Sequence, residues 1–307
     1  MPVNLAIKIG ALRLKNPVMV ASGTFGYAEE FRDFIDLKQL GAIVTKTITL
    51  RPRPGNPPAR TCETPAGMLN SIGLENPGIE IFLKEKLPAL GKYGTPVIVS
   101  ISSADDPGEF VELAKALEKN KAVAAIELNI SCPNIKGSRV RGMIAQDARA
   151  TYAAVKAVRR ATSKTLITKL SPNVTDISEI ALAAEKAGSD ALALINTLVG
   201  MAIDTQKRMP KLAAVTGGLS GPAIRPIAVR MVCEVYQKVK IPLVGMGGII
   251  DTPSALEFFL AGAAAVAVGT GNFINPSASA GVISGLQAYL RKQPMPGIKG
   301  LIGRLQV

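Results

Sequence analysis

The sequence contains no histidine and no tryptophan. Without an imidazole the commonest general base and the commonest nitrogen ligand for a metal are both missing, so proton transfer would fall to Cys, Lys, Tyr or a carboxylate. Cysteine is scarce as well. Cys62, Cys132 and Cys233 form an odd set with no Cys-x-x-Cys spacing, which argues against a disulfide framework or a zinc site and leaves free thiols. Aromatic residues make up only 4% of the chain, and no basic run is interleaved with them as single-strand binding requires. The formal charge of +13 therefore favours anionic ligands or partners rather than nucleic acid. No uncharged apolar run reaches the roughly 18 to 20 residues of a membrane span. The richest stretch, 191–203, is interrupted by Asn196 and stops at Asp204. The opening Met1-Pro2-Val3-Asn4 lacks the basic-then-apolar pattern of a secretory signal, so a cytoplasmic protein without membrane association is expected.

What the chain does contain is regular alternation. Short runs rich in Val, Ile, Leu and Ala at 17–21, 42–47, 96–102, 125–131, 165–171, 191–197, 242–248 and 265–271 alternate with segments of helical period. That is the pattern of repeated βα units. Helix starts are marked by Asp106-Pro107 before the Phe110, Leu113, Ala114, Leu117 stripe and by Thr252-Pro253 before Leu256, Phe259 and Leu260. Gly41, Gly188 and Gly262 recur at helix-to-strand junctions, where a left-handed stop is useful. Eight units in one chain predict a single α/β domain over 1–307, a (β/α)8 TIM barrel rather than an open doubly wound sheet. Residues 5–9 and 12–15 around Gly10-Ala11 read as a small N-terminal hairpin plugging the barrel's bottom. The longest connection follows the second strand, through Arg51-Pro52-Arg53-Pro54-Gly55-Asn56-Pro57-Pro58 to the Gly73 region; insertions of that length are usually functional, although a proline-rich partner ligand is a competing reading of its first half.

Active sites of such barrels lie where the strands end. The predicted strand ends carry Ser22-Gly23, Lys46-Thr47, Asn129, Cys132-Pro133-Asn134, Lys169 and Asn196-Thr197, and the last two finish in Gly245-Met246-Gly247-Gly248 and Gly269-Thr270-Gly271. Glycine-rich turns after the last two strands let bare backbone N–H groups approach a phosphate. Neither turn completes G-x-G-x-x-G, and no G-x-x-x-x-G-K-[ST] occurs, so Rossmann and P-loop readings fail. Lys46 and Lys169 would enter a water-poor cavity and need anions. A flavin with a phosphate tail and a substrate carboxylate would supply them; structural ion pairs and a Schiff-base lysine are the alternatives. Cys132 sits in a segment with Lys136, Arg139 and Arg141, cations that can lower a thiol pKa, though a lone cysteine is more often a small buried hydrophobe. Asn70, Asn129, Asn134 and Asn196 offer amides to a ring bearing imide N–H and C=O groups, although loop asparagines are also common turn residues.

Taken together, Asn129-Ile130-Ser131-Cys132-Pro133-Asn134, Lys169-Leu170-Ser171-Pro172-Asn173, Ile195-Asn196-Thr197, Thr216-Gly217-Gly218-Leu219-Ser220-Gly221-Pro222 and Gly245-Met246-Gly247-Gly248 resemble class 1 dihydroorotate dehydrogenase over almost the whole chain. The segments 196–204 and 216–222 are most similar to the catalytic subunit of the NAD-linked, heterotetrameric type B. The resemblance implies that Cys132 removes the C5 proton of dihydroorotate while a hydride leaves C6 for FMN, giving orotate. It implies substrate contacts from Lys46, Asn70, Ser71, Ile72, Gly73, Leu74, Asn129, Asn134, Asn196 and Thr197. It implies FMN contacts from Ser22, Lys46, Thr47, Ser100, Asn129, Lys169, Ile195, Gly221, Gly247, Gly248, Gly269 and Thr270. Electrons would pass to a second subunit carrying FAD and a 2Fe–2S cluster and then to NAD, around a homodimeric core. Three scattered cysteines cannot build that cluster, so the partner must supply it. Two departures stand out: Ser100 occupies a position where the family more often has asparagine, and the segment 136–143 lacks the family's paired glycine and Phe-Gly pattern. The competing readings are the fumarate-reducing homodimeric form and a non-catalytic flavin-binding barrel.

Overall fold

The computed structural model describes residues 3–103, 106–131 and 143–306. Its centre is a closed barrel of eight parallel strands: β1 (Val18–Val20), β2 (Ala42–Val44), β3 (Val97–Ile101), β4 (Val123–Asn129), β5 (Thr165–Lys169), β6 (Ala191–Leu194), β7 (Leu243–Met246) and β8 (Ala265–Val268). Each pairs with the next in sequence, and the pairing of β8 with β1, Val266 opposite Val18, closes the ring. Every residue of these strands except Ala124 is buried. Burial on both faces is why the strands read as continuous apolar runs rather than alternating ones.

Each segment expected from sequence overlaps one of these strands, but β4 begins at Val123, two residues before the expected segment, and several ladders stop short of the expected end, as β2 does at Val44 and β6 at Leu194. The residues just beyond, including Lys46, Thr47, Asn196 and Thr197, line a cavity instead.

The helices Gly108–Glu118, Ala148–Ala161, Ile177–Ala187, Arg225–Tyr236, Thr252–Ala261 and Ala278–Arg291 follow β3 to β8 in turn. The Phe110, Leu113, Ala114, Leu117 stripe is buried as its period predicts, and the Asp106 carboxylate accepts from the Gly108 N–H at 2.8 Å. The cap of Thr252–Ala261 is Asp251, one residue before the expected one; its carboxylate accepts from the Ser254 N–H at 2.9 Å. Gly188 and Gly262 stop their helices with φ of 105° and 117°, as left-handed caps should. Gly41 has another reason to be glycine: a Cβ there would lie 2.3 Å from the Asn16 carbonyl oxygen.

Strands Ile7–Ile9 and Leu12–Leu14 form the expected antiparallel hairpin. The Ala11 N–H donates to Thr165 Oγ1 at 3.2 Å, at the first residue of β5, which sets the hairpin against the N-terminal end of the barrel. At the other end the connection after β2 contributes Thr61–Thr64 and Gly67–Asn70 to a four-stranded antiparallel sheet completed by Gly217–Ser220 and Leu198–Gly200. This second excursion, after β6, was not expected as an insertion. It pairs with the first, Gly218 opposite Asn70, so the two make one structure.

Glu118 ties the end of its helix to the start of β5. Its carboxylate accepts from the Thr162 hydroxyl, from the Ser163 N–H at 3.1 Å and from the Ser163 hydroxyl at 2.6 Å. These donors, the Ser163 hydroxyl foremost, pull its pKa down to about 2. A depressed carboxylate stabilises the fold above its unfolded pKa, and that contribution is lost as pH falls through the folded value. We therefore expect Glu118→Gln to flatten the wild-type loss of stability between about pH 4.5 and pH 2, read by urea denaturation at several pH values. An unchanged slope would contradict the assignment. Among the described residues no helix is long and apolar enough to cross a membrane.

Candidate active site

The strand ends open into a cavity of about 310 Å³, roofed by the two excursions and walled by the turns after the strands. Ser22 and Gly23 enter it after β1, Lys46 and Thr47 after β2, Asn129 and Lys169 from the last positions of β4 and β5, Ile195 to Thr197 after β6, Gly247 and Gly248 after β7, and Gly269 and Thr270 after β8. Asn70, Ile72, Gly73 and Leu74 come from the first excursion and Gly221 from the second. Residues spread over most of the chain thus share one cavity because barrel closure brings all the strand ends to one face.

Two expected contacts differ in position. Ser71 is buried, and Ser100 lies on β3; neither is part of the cavity lining. Ser100 is instead internal to a polar network. Its hydroxyl donates to Glu127 Oε1 at 2.8 Å and lies 2.9 Å from Thr47 Oγ1, which lies 3.0 Å from Ser22 Oγ and accepts from Asn129 Nδ2 at 3.1 Å. Cys132 and Asn134, with Lys136, Arg139 and Arg141, lie outside the described residues. The free thiols that are described, Cys62 and Cys233, are half-buried and do not line the cavity.

The lysines have partners that sequence reading left open as one alternative. Lys169 Nζ stands 3.9 Å from the buried Glu127 carboxylate, and Lys46 Nζ stands 4.0 Å from Glu75, which also accepts from Arg60 at 2.8 Å. Neither distance is that of a hydrogen bond, so both pairs are ionic contacts rather than closed ones. The amides are fixed more tightly. Asn196 Nδ2 donates to the Ser131 carbonyl and hydroxyl, both at 3.0 Å, its Oδ1 accepts from the Thr197 N–H at 2.8 Å, and the Ser131 hydroxyl donates to Asn129 Oδ1 at 3.3 Å. Side chains locked in this way are ordered before a ligand arrives.

The glycine turns fit a phosphate. Gly221, Gly247 and Gly248 have φ of 92°, 127° and 76°, a region where any other residue is strained. A Cβ on Gly248 would meet the Gly221 carbonyl at 2.9 Å and Arg225 Cβ at 2.7 Å. The hydroxyls of Thr270 and Ser220, 2.8 Å apart, line the same end. Lining residues that sequence reading did not single out include Thr24, Thr61, Met68, Glu75, Ile224 and Phe273. Several of them sit on or beside the excursion sheet, whose pairing no local pattern announces.

The fold and the cavity together define an enzyme of the (β/α)8-barrel class, with its polar groups on the C-terminal face. A family model described as Dihydroorotate dehydrogenase matches residues 4–290. The chain is 53% identical to the dihydroorotate dehydrogenase B (NAD(+)), catalytic subunit, of Geotalea uraniireducens, over 98% of both chains. It is 51% identical to the protein of the same description from Pelobacter propionicus over the full length of each. Among solved structures, the crystal structure of DHODH in complex with ferulenol from Eimeria tenella superposes with a TM-score of 0.81 at 22% identity, covering 98% of this chain and 88% of that one; it supports the fold. The chain belongs to the dihydroorotate dehydrogenase family and is an oxidoreductase.

Proposed function

We propose that the chain oxidises (S)-dihydroorotate to orotate, the redox step of UMP synthesis, using FMN, and that it works as the catalytic subunit of an NAD-linked assembly. The observation that carries this reading is the meeting of Lys46, Lys169, Asn129, Asn196 and the glycine turns around one cavity in a chain of this family. Residues 1–307 are read as one FMN-binding domain.

FMN, when bound, supplies the acceptor for the C6 hydride. Ser22, Thr47, Asn129, Ile195, Gly221, Gly247, Gly248, Gly269 and Thr270 would hold it, with Lys169 at the part of the ring that gains negative charge on reduction. Lys46 would meet the substrate carboxylate, and Asn70, Asn129, Asn134, Asn196 and Thr197 the ring amides. Cys132 would take the C5 proton, which suits a chain without histidine. Electrons would be relayed to NAD by a partner subunit carrying FAD and a 2Fe–2S cluster, in a heterotetramer around a homodimer, since the three scattered cysteines of this chain cannot build such a cluster. The phrase "catalytic subunit" in the relatives' names supports a partner of some kind.

The absorbance spectrum of the purified chain tests the reading. A flavin spectrum that bleaches on anaerobic addition of dihydroorotate is expected. A yellow protein that does not bleach would favour the non-catalytic barrel, and efficient turnover with fumarate in the absence of any partner would favour the homodimeric form.

A further inference from the structure

Glu127 is a buried charged side chain that the roles above leave unused although it stands directly behind Lys169, a residue of the cavity lining. It is 2% exposed, whereas Glu75, the carboxylate beside the other lysine, is partly exposed. A carboxylate removed this far from water costs several kcal/mol unless hydrogen bonds and an opposite charge compensate. Both are present. Ser100 donates to its Oε1 at 2.8 Å, and Lys169 Nζ stands 3.9 Å from the same oxygen. Period-two alternation sends Glu127 to the same face of β4 as Asn129, toward the side chain at the end of β5.

Resting on the FMN reading of the cavity, we infer that Glu127 is a positioning residue: the buried counter-ion that holds the Lys169 ammonium in place while leaving its N–H groups to the cavity, and so tunes the reduction potential of the bound cofactor. The 3.9 Å separation is the central geometric point. It is close enough for strong attraction in a dry site and too long for a hydrogen bond, so the ammonium is held without being consumed. Ser100 holds the carboxylate back. Its hydroxyl is anchored through Thr47 to Ser22 and Asn129, which fixes the network from β1 to β5. This gives Ser100 a task where it stands, outside the cavity lining. The other charged groups of the lining are Lys46 and Glu75, and Glu75 already accepts from Arg60 at 2.8 Å. Among the described residues Glu127 is therefore the carboxylate paired with Lys169.

The sign of the effect follows from charge. A negative group behind Lys169 offsets part of its attraction for a ring that gains electrons, so neutralising Glu127 should favour the reduced form. Glu127→Gln keeps the shape and the acceptor for Ser100. With FMN bound, we expect its two-electron potential to become more positive by at least a tenfold change in the redox equilibrium, about 30 mV. A role in shape alone would leave that potential where it is in wild type. A cycle of E127Q, Lys169→Met and the double variant, followed by chemical denaturation, should show the loss at Glu127 largely disappearing once the lysine is gone. If E127Q alone does not fold, the double variant should fold; its failure too would overturn the inference. An E127Q protein that binds FMN at the wild-type potential overturns the role of Glu127 and leaves the cofactor reading intact. A wild-type chain that takes up no FMN overturns both.

Discussion

Replacing Cys132 by alanine should slow reduction of the bound flavin by dihydroorotate by about two to four orders of magnitude, the range over which a positioned base contributes. The chain has no histidine, and Cys62 and Cys233 do not line the cavity. Cys132 follows directly on Ser131, whose hydroxyl and carbonyl are bound to Asn196, a residue of the cavity wall. Cys132→Ser should retain part of the rate and regain more as pH rises, because a hydroxyl gives up its proton far less readily than a thiol of pKa about 8.5. Stopped-flow bleaching of the flavin absorbance across a pH series would read both effects. Unchanged bleaching in the alanine variant, or a flat pH profile for the serine variant, would remove Cys132 from the chemistry.

How far such a site can be read before any coordinates depends on what kind of signal each residue carries. The barrel strands were legible because burial on both faces writes them as apolar runs, and the loop glycines because a positive φ at Gly247 and Gly248 admits little else. Lys46 and Lys169 were legible as polar residues ending apolar runs. The roof was not. Gly218 pairs with Asn70 across 148 residues, a contact set by closure of the barrel, so no local pattern marks the second excursion. Glu127 did leave a trace. It is the single charge within Val123–Asn129 and lies two residues before Asn129, so strand alternation puts both on one face. Ser100 lies outside the cavity lining for a related reason: position along a strand shows which face a side chain takes, and depth below the cavity depends on how the neighbouring strands are staggered.

Lys46→Met should lower kcat/KM for dihydroorotate by about 10- to 150-fold, mostly through KM, the equivalent of losing one charged hydrogen bond worth about 1.5–3 kcal/mol. Lys46 is anchored by its own backbone, whose N–H donates to the Gly26 carbonyl at 3.0 Å, so the side chain can be shortened in polarity without moving the strand end. Its ammonium lies 4.0 Å from Glu75, and both groups are partly exposed, so this contact contributes little stability. Arg60 is the closer partner of Glu75, at 2.8 Å, which leaves the Lys46 charge largely available to an incoming carboxylate. The two charges should therefore act in opposite directions on binding. Glu75→Gln removes a competing anion and should leave KM unchanged or lower, whereas Lys46→Met raises it. Equal and small changes in both variants, confined to thermal stability, would mean that Lys46 serves only its ion pair and that the substrate carboxylate is held elsewhere.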